Sequence, residues 1–177
     1  YCLRREHDDT REAHAFLCLG DEHVGIWVHP EDNGGRYEYS VETARERYLL
    51  LQQEISRDLA MRSARWRVTR LHVLMLGDHI QGECAYQGAA FRLQLTSARA
   101  QIAEYVEMVG PMLTQLADAI ELRHDGPRVV IVCVPGNHSR PAPRGEADPH
   151  STLEAWLWSE LQERMRDVPG VEFRLPD

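Results

Sequence analysis

The sequence predicts an α/β fold, and three observations support that prediction. Apolar runs typical of buried strands alternate along the chain with stretches of helical periodicity. The run at 129–134 is continuous and β-branched, as expected of a central strand covered on both faces. Three of the runs lead into a glycine that is followed by a side chain able to bind metal. Together these features indicate a largely parallel sheet with a functional edge.

The expected elements alternate from strand to helix, ending on a strand. Strands are predicted at 15–19, 71–76, 129–134 and 171–175. The first helix should follow Ser40 as its N-cap and end near residue 62. The second should span 95–122 with a kink or break at Gly110-Pro111, and the third should span 151–166 behind the capping-box pattern Ser151-Thr152-Leu153-Glu154. We expect residues 1–177 to form a single domain.

Composition restricts the classes of function. The net charge of −8 argues against broad binding to nucleic acid, which depends on cationic contacts to phosphates. No apolar run reaches the about 18 residues that a membrane span needs. The four cysteines form no CxxC pair, and Cys18 and Cys133 lie in apolar runs where buried free thiols are expected. This cysteine usage is typical of a reducing cytoplasm.

The strand ends carry the side chains that point to chemistry. Asp21 and His23 follow the first run, Asp78 follows the second, and Asn137 and His138 follow the third. The carboxyl ends of parallel strands share one edge of a sheet, so these side chains should lie together. Carboxylate, imidazole and amide oxygen favour Mn, Fe, Zn or Mg, and one carboxylate can bridge two cations about 3.5 Å apart. The set therefore predicts hydrolysis of a phosphate ester by a metal-activated water.

This order of motifs, Asp-x-His, Gly-Asp and Gly-Asn-His, resembles the calcineurin-like metallophosphoesterase superfamily over residues 15–138, and is most similar to phage and bacterial metallophosphatases. The resemblance implies an αββα sandwich with two divalent metal ions, of which Mn is favoured over Fe, Zn or Mg. Asp21 and His23 would bind the first metal, Asp78 would bridge the two, and Asn137 would bind the second. His138 would be catalytic, steadying the phosphate rather than binding metal.

The chain departs from the superfamily pattern at two places. Gln81 stands where the second motif often has a further aspartate, and no later histidine motif follows His138. We therefore expect a C-terminally incomplete domain that supplies the N-terminal half to two-thirds of the sandwich.

Several alternatives stay open at this point. The substrate is a phosphomonoester or a phosphodiester; a nuclease acting on DNA or RNA and a non-catalytic scaffold of the same fold are the rival functions. Arg140 is either a phosphate contact or a solvated loop residue. His79 is expected to face solvent or to support the ligands rather than to bind metal. One of Trp156 and Trp158 should pack in the core, since residues two apart on a helix cannot share a face. Oligomeric state is left open.

Overall fold

A computed structural model describes residues 12–63, 65–84, 89–121, 126–142, 146 and 152–176. These residues form an α/β structure with one parallel sheet. Its strands, in their spatial order, are β1 (Glu12–Leu19), β2 (Arg67–Met75), β3 (Val129–Cys133) and β4 (Val171–Arg174). The helices are α1 (Val41–Arg62), α2 (Ala98–Ala119) and α3 (Leu153–Arg164). Short 3₁₀ turns lie at Pro30–Asn33 and Ala89–Arg92. The predicted α/β class and the alternating order of elements are confirmed, whereas the αββα sandwich stays a prediction.

The boundaries of the strands differ from those predicted at their N-terminal ends. Both β1 and β2 begin three or more residues before the apolar runs, with the polar stretch Glu12–His14 and with Arg67–Arg70. Hydrogen bonding to the neighbouring strand decides where a strand begins, and a half-exposed strand accepts polar side chains on its open face. Hydrophobicity alone therefore located the strands but not their first residues.

The hydrophobic core lies between one face of the sheet and the helices. Leu71, Val73 and Met75 of β2 and Ile131 of β3 are buried against α2 and α3, and Trp158 of α3 is 1% exposed. Trp156 is exposed, which confirms that the two tryptophans occupy different surroundings. The opposite face of β1 is open, so the predicted burial of Cys18 is wrong although that of Cys133 is confirmed. Cys18 is exposed because β1 is an edge strand with alternating burial.

The caps of the helices agree with the sequence at α1 and differ at α3. Ser40 caps α1, its hydroxyl accepting a hydrogen bond from the Thr43 amide at 3.3 Å. Thr152 rather than Ser151 caps α3, and Ser151 lies outside the described residues. The carboxylate of Glu154 does not close a capping box, because it binds backbone amides of the sheet edge instead.

Helix α2 continues through Gly110 and Pro111 as one helix, so the predicted break is absent. Proline removes one helical hydrogen bond but keeps a helical φ. The Thr114 hydroxyl donates to the Gly110 carbonyl at 3.0 Å, and both Gly110 and Met112 are buried in the packing of α2. Packing therefore outweighs the local cost of the proline. No helix in the described part of the chain is long and apolar enough to cross a membrane.

Candidate functional site

The three glycine-ended strands bring their following turns side by side at one edge of the sheet. The Asp21 amide donates to the Gly77 carbonyl (3.1 Å), and the His23 amide donates to the Asp78 carbonyl (2.9 Å). The turn after β3 joins them, since the His138 amide donates to the Asp78 carboxylate at 2.7 Å. The backbone itself therefore holds the three predicted motifs together.

Two glycines permit this close approach. A Cβ atom on Gly136 would overlap the backbone nitrogen and the carboxylate of Asp78. A Cβ atom on Gly77, whose φ is 88°, would overlap the backbone of Gly136. Glycine is required at both positions because two turns of the chain touch there.

Three of the predicted metal ligands adopt a left-handed backbone conformation. Asp21, His23 and Asp78 have φ values of 58°, 47° and 55°, and no other non-glycine residue among those described has a positive φ. This conformation costs about 1–2 kcal/mol for a residue with a Cβ atom, somewhat less for aspartate. Strain of this kind persists where the surrounding structure imposes it, and it concentrates at functional sites.

The side chains of His23, Asp78 and His138 form a compact group. One ligand atom from each lies within 4.8 Å of the others, and none of the three side chains is exposed. The rings of His23 and His138 pack edge to face with centroids 4.4 Å apart. Each residue comes from a different strand end, so only the folded sheet creates this group.

His23 is held in the form that binds metal. Burial, and next the neighbouring His138, lower its pKa below the ordinary value, which favours the neutral imidazole. The Nδ1 atom of His23 is buried and has no hydrogen-bond partner among the described residues. A buried nitrogen without a partner is costly unless a ligand satisfies it.

The other predicted site residues lie at the margin of this group. The Asp21 carboxylate is 87% exposed, with one oxygen 3.9 Å from His23 Nε2. Asn137 is exposed. Arg140 donates from Nε to the Asn137 carbonyl at 2.5 Å, which ties its guanidinium to its own loop. The predicted roles of Asp21, Asn137 and Arg140 stay predictions.

A buried hydrogen-bond network lies behind the predicted ligands. His79 is 0% exposed, which excludes the solvent-facing side chain and leaves the other predicted alternative, a supporting position. Its Nε2 accepts from the Gly77 amide (3.3 Å), which places the proton on Nδ1, and Nδ1 donates to the Glu22 carboxylate at 2.7 Å. The Tyr48 hydroxyl donates to the other Glu22 oxygen at 2.9 Å. The Tyr105 hydroxyl lies 3.1 Å from His79 Nδ1.

The two tyrosines stay uncharged in this network. Burial raises the pKa of Tyr48 and of Tyr105 well above the ordinary value, so both phenols keep their protons at any physiological pH. Glu22 lies between the two left-handed residues Asp21 and His23 in the chain. Its inward carboxylate therefore ties the first motif to the residue that follows Asp78.

Glu154 of α3 makes a second connection between motifs. Its carboxylate accepts from the His79 amide at 2.9 Å and from the Gly136 amide at 2.6 Å, and the residue is 0% exposed. Hydrogen bonds to an ionised carboxylate are among the stronger ones in proteins. One side chain from α3 thus fixes the turn after β2 against the turn after β3.

A pocket of about 390 Å³ opens over the ligand group. Asp21, His23 and His138 form part of its wall. Gln81 and Arg47 add the other polar groups, and four apolar or aromatic side chains complete the lining, namely Ile26, Val28, Tyr37 and Tyr39. The volume is that of a small-molecule site.

The donor set suits one divalent cation. Two imidazoles and a carboxylate are ligands that Mn, Fe and Zn accept, and the unpartnered His23 nitrogen is consistent with such an ion. For a second cation, the described residues supply no comparable group of histidine, cysteine and acidic side chains.

Comparison with known proteins gives no family for this chain. No protein-family model matches it, and no curated protein is significantly similar to it.

Sequence reasoning missed Glu22, Glu154 and Arg47. The alternation Asp21-Glu22-His23 is the signal that the middle side chain can point away from its neighbours. Glu154 was hidden by its fit to a capping pattern, and its partners lie about 75 and 18 residues away along the chain. Long-range contacts of this kind leave no local pattern.

Proposed function

We propose that this chain is a divalent-metal-dependent phosphoesterase that hydrolyses a phosphomonoester or a phosphodiester. The observation that supports the proposal most is the convergence of His23, Asp78 and His138, within 4.8 Å, from three separate strand ends. The backbone strain at two of these residues supports it further, because packing alone gives no reason for it.

The residues present have defined tasks in this proposal. Asp78 and His23 hold the cation, with the Asp21 carboxylate beside them. When bound, a divalent ion lowers the pKa of a coordinated water and neutralises phosphate charge. The hydrogen bond from the His138 backbone amide to the Asp78 carboxylate orients His138. Its ring faces the same pocket, where it can hold a phosphate oxygen. The 4.8 Å group also allows His138 to bind the metal directly.

The decisive experiment combines metal content with hydrolysis in one pair of variants. Asp78→Asn keeps an oxygen to accept the His138 amide but loses the charge, so it should fold and lose Mn²⁺ affinity at least about 100-fold. Hydrolysis of p-nitrophenyl phosphate and of bis(p-nitrophenyl) phosphate should fall to background in the same variant. Asp167→Asn, at a carboxylate 92% exposed, is the matched control and should behave as wild type. Unchanged Mn²⁺ binding in Asp78→Asn would contradict the proposal.

One observation favours a second candidate, a metal-binding domain without catalysis. The described residues form a single three-residue group, and Asn137 is exposed. Elemental analysis with an activity assay separates the candidates: bound metal with turnover that requires it supports the phosphoesterase, whereas bound metal without turnover supports the binding domain. His138→Asn adds to this, because loss of turnover with retained metal assigns His138 to the phosphate.

A further inference from the structure

Arg47 places a positive charge on the wall of the pocket that holds the metal-ligand group. Its guanidinium lies over the Tyr39 ring, 5.2 Å from the centroid, and it forms no salt bridge with any described carboxylate. By contrast, Arg45, two residues earlier in the helix, is held in a bidentate pair with Glu104 (2.6 and 2.7 Å). Arg47 is therefore an exposed cation whose fork of donors is available to an anion.

Gln81 supplies a second donor to the same pocket. The residue is 1% exposed, and its Nε2 atom has no hydrogen-bond partner among the described residues. Its backbone is fixed, since the Gln81 amide donates to the Val24 carbonyl at 3.1 Å. A buried amide that lines a pocket and lacks a partner is satisfied when a ligand oxygen accepts from it.

The remaining wall is aromatic and aliphatic. Tyr37 is 55% exposed, so its ring is accessible at the mouth of the pocket, and Tyr39 is half-buried deeper in it. The Tyr39 hydroxyl is already used, because it donates to the Glu22 carbonyl. Ile26 and Val28 extend the apolar surface. Such a wall favours the binding of a flat apolar group over that of a polyol.

We propose that this pocket is a subsite for a phosphate ester that carries an aromatic ring, as a nucleotide or an aryl phosphate does. The assignment rests on the proposed phosphoesterase function and names its substrate class. The phosphate lies toward the ligand group with Arg47 and Gln81 donating to its oxygens. The ring lies against Tyr37, because Arg47 already covers a face of the Tyr39 ring. Asp21, also on the wall, brings negative charge that a bound cation offsets, so binding of the ester depends on the metal.

The test compares three esters by calorimetry on the full chain with saturating Mn²⁺. They are adenosine 5′-monophosphate, phenyl phosphate and glycerol 3-phosphate. The two aromatic esters should bind at least about tenfold more tightly than glycerol 3-phosphate, because base stacking on a tyrosine gains affinity of that order. Whether the nucleotide or phenyl phosphate binds more tightly identifies the source of the ring.

Binding to variants tests the phosphate contacts and the ring contacts separately. Arg47→Met should weaken all three esters about tenfold, and Gln81→Met, which keeps the shape of the side chain, about threefold. Tyr37→Leu should weaken only the aromatic esters, about fivefold, whereas Tyr37→Phe keeps the ring and should bind as wild type. Arg57→Met is the matched control, because Arg57 is an exposed arginine on the same helix and outside the pocket lining.

The subsite assignment is overturned if glycerol 3-phosphate binds as tightly as the aromatic esters, if none of the esters binds, or if Arg57→Met weakens them as much as Arg47→Met. Mn²⁺ titration of the same samples keeps this failure distinct from failure of the proposed function. If Asp78→Asn loses metal binding but the wild-type protein shows no preference for aromatic esters, the subsite is refuted and the phosphoesterase proposal stands. Absence of Mn²⁺ binding in wild type removes the proposed function itself, and the subsite, whose ester binding depends on the metal, is overturned with it.

Discussion

Asp21 combines a left-handed backbone with a side chain that is 87% exposed. Substituting it therefore changes backbone strain with little loss of packing. Asp21→Gly should be about 1 kcal/mol more stable to urea than Asp21→Ala, because a Cβ atom is disfavoured at a φ of 58°. Both variants lack the carboxylate, so equal stabilities would show that the backbone is not strained at this residue.

The stability of the metal-free protein should depend on the protonation of His23. Burial and His138 lower its pKa in the folded state, so the unfolded chain, with an ordinary value of about 6.5, takes up a proton first as the pH falls. The free energy of unfolding should therefore be unaffected by His23 above that pH and should decline below it. Urea unfolding at pH 7.5 and at pH 5.5 in a chelator measures the decline.

His23→Asn is the comparison for this measurement, since asparagine tolerates the left-handed backbone and does not titrate. Its loss of stability between the two pH values should be smaller than that of wild type. An equal loss in both proteins would assign the pH dependence to other groups.

The meeting of His23, Asp78 and His138 at one edge of the sheet could be predicted, because each lies in a turn that begins with a glycine after an apolar run. The contacts of the side chains beside them could not be predicted. Glu22 and His79 lie beside ligands in the sequence, yet they point inward to each other, and only the pairing of β1 with β2 brings them within 2.7 Å. Arg47 belongs to a helix whose sequence is full of exposed charges, so nothing local marks it.

At the scale of elements, Glu154 in the first turn of α3 connects this helix to two turns at the sheet edge. Glu154→Leu would leave the His79 and Gly136 amides without acceptors in a buried place. We expect a loss of about 2–4 kcal/mol in the free energy of unfolding. Glu154→Gln keeps one acceptor oxygen and should lose about half as much.

Chemical denaturation checks this, with Glu163→Leu in the last turn of α3 as a control at an exposed site. The control should change stability by no more than about 0.5 kcal/mol. If Glu154→Leu were as mild as the control, α3 would not be anchored through this carboxylate.

The alternation of strands and helices was predictable because each element has its own periodicity. In α1, Tyr48, Leu51, Ile55 and Leu59 recur at spacings of three and four, whereas the apolar run of β3 is continuous. The exposure of β1 was not predictable, because strand order decides which strand lies at the edge. The order β1-β2-β3-β4 leaves Cys18 and Phe16 on an open face, with the Phe16 ring stacked on His72 at 4.7 Å.

For the whole molecule, the ligand group joins three strands, so metal binding should stabilise the entire fold. At about 100 times its dissociation constant, Mn²⁺ adds about 2.7 kcal/mol, which raises the Tm of a chain of this size by about 5–10 °C. Differential scanning calorimetry with Mn²⁺ and with a chelator measures the shift.

Asp78→Asn should show the same Tm in both solutions. A shift that persists in this variant would mean that the stabilising ion binds elsewhere on the acidic surface, whose net charge of −8 offers many weak carboxylate contacts.

The left-handed residues at the sheet edge have a practical consequence for anyone who engineers this protein. A library screened only for survival of heating in a chelator would favour glycine or asparagine at positions 21 and 23, since both relieve the backbone and no bound ion rewards the native side chains. Each such gain in heat tolerance would delete a side chain of the proposed metal site. Variants improved in this way should therefore be tested for metal uptake before they are kept. The most heat-resistant clones of such a library are those that lack the side chains of the proposed metal site.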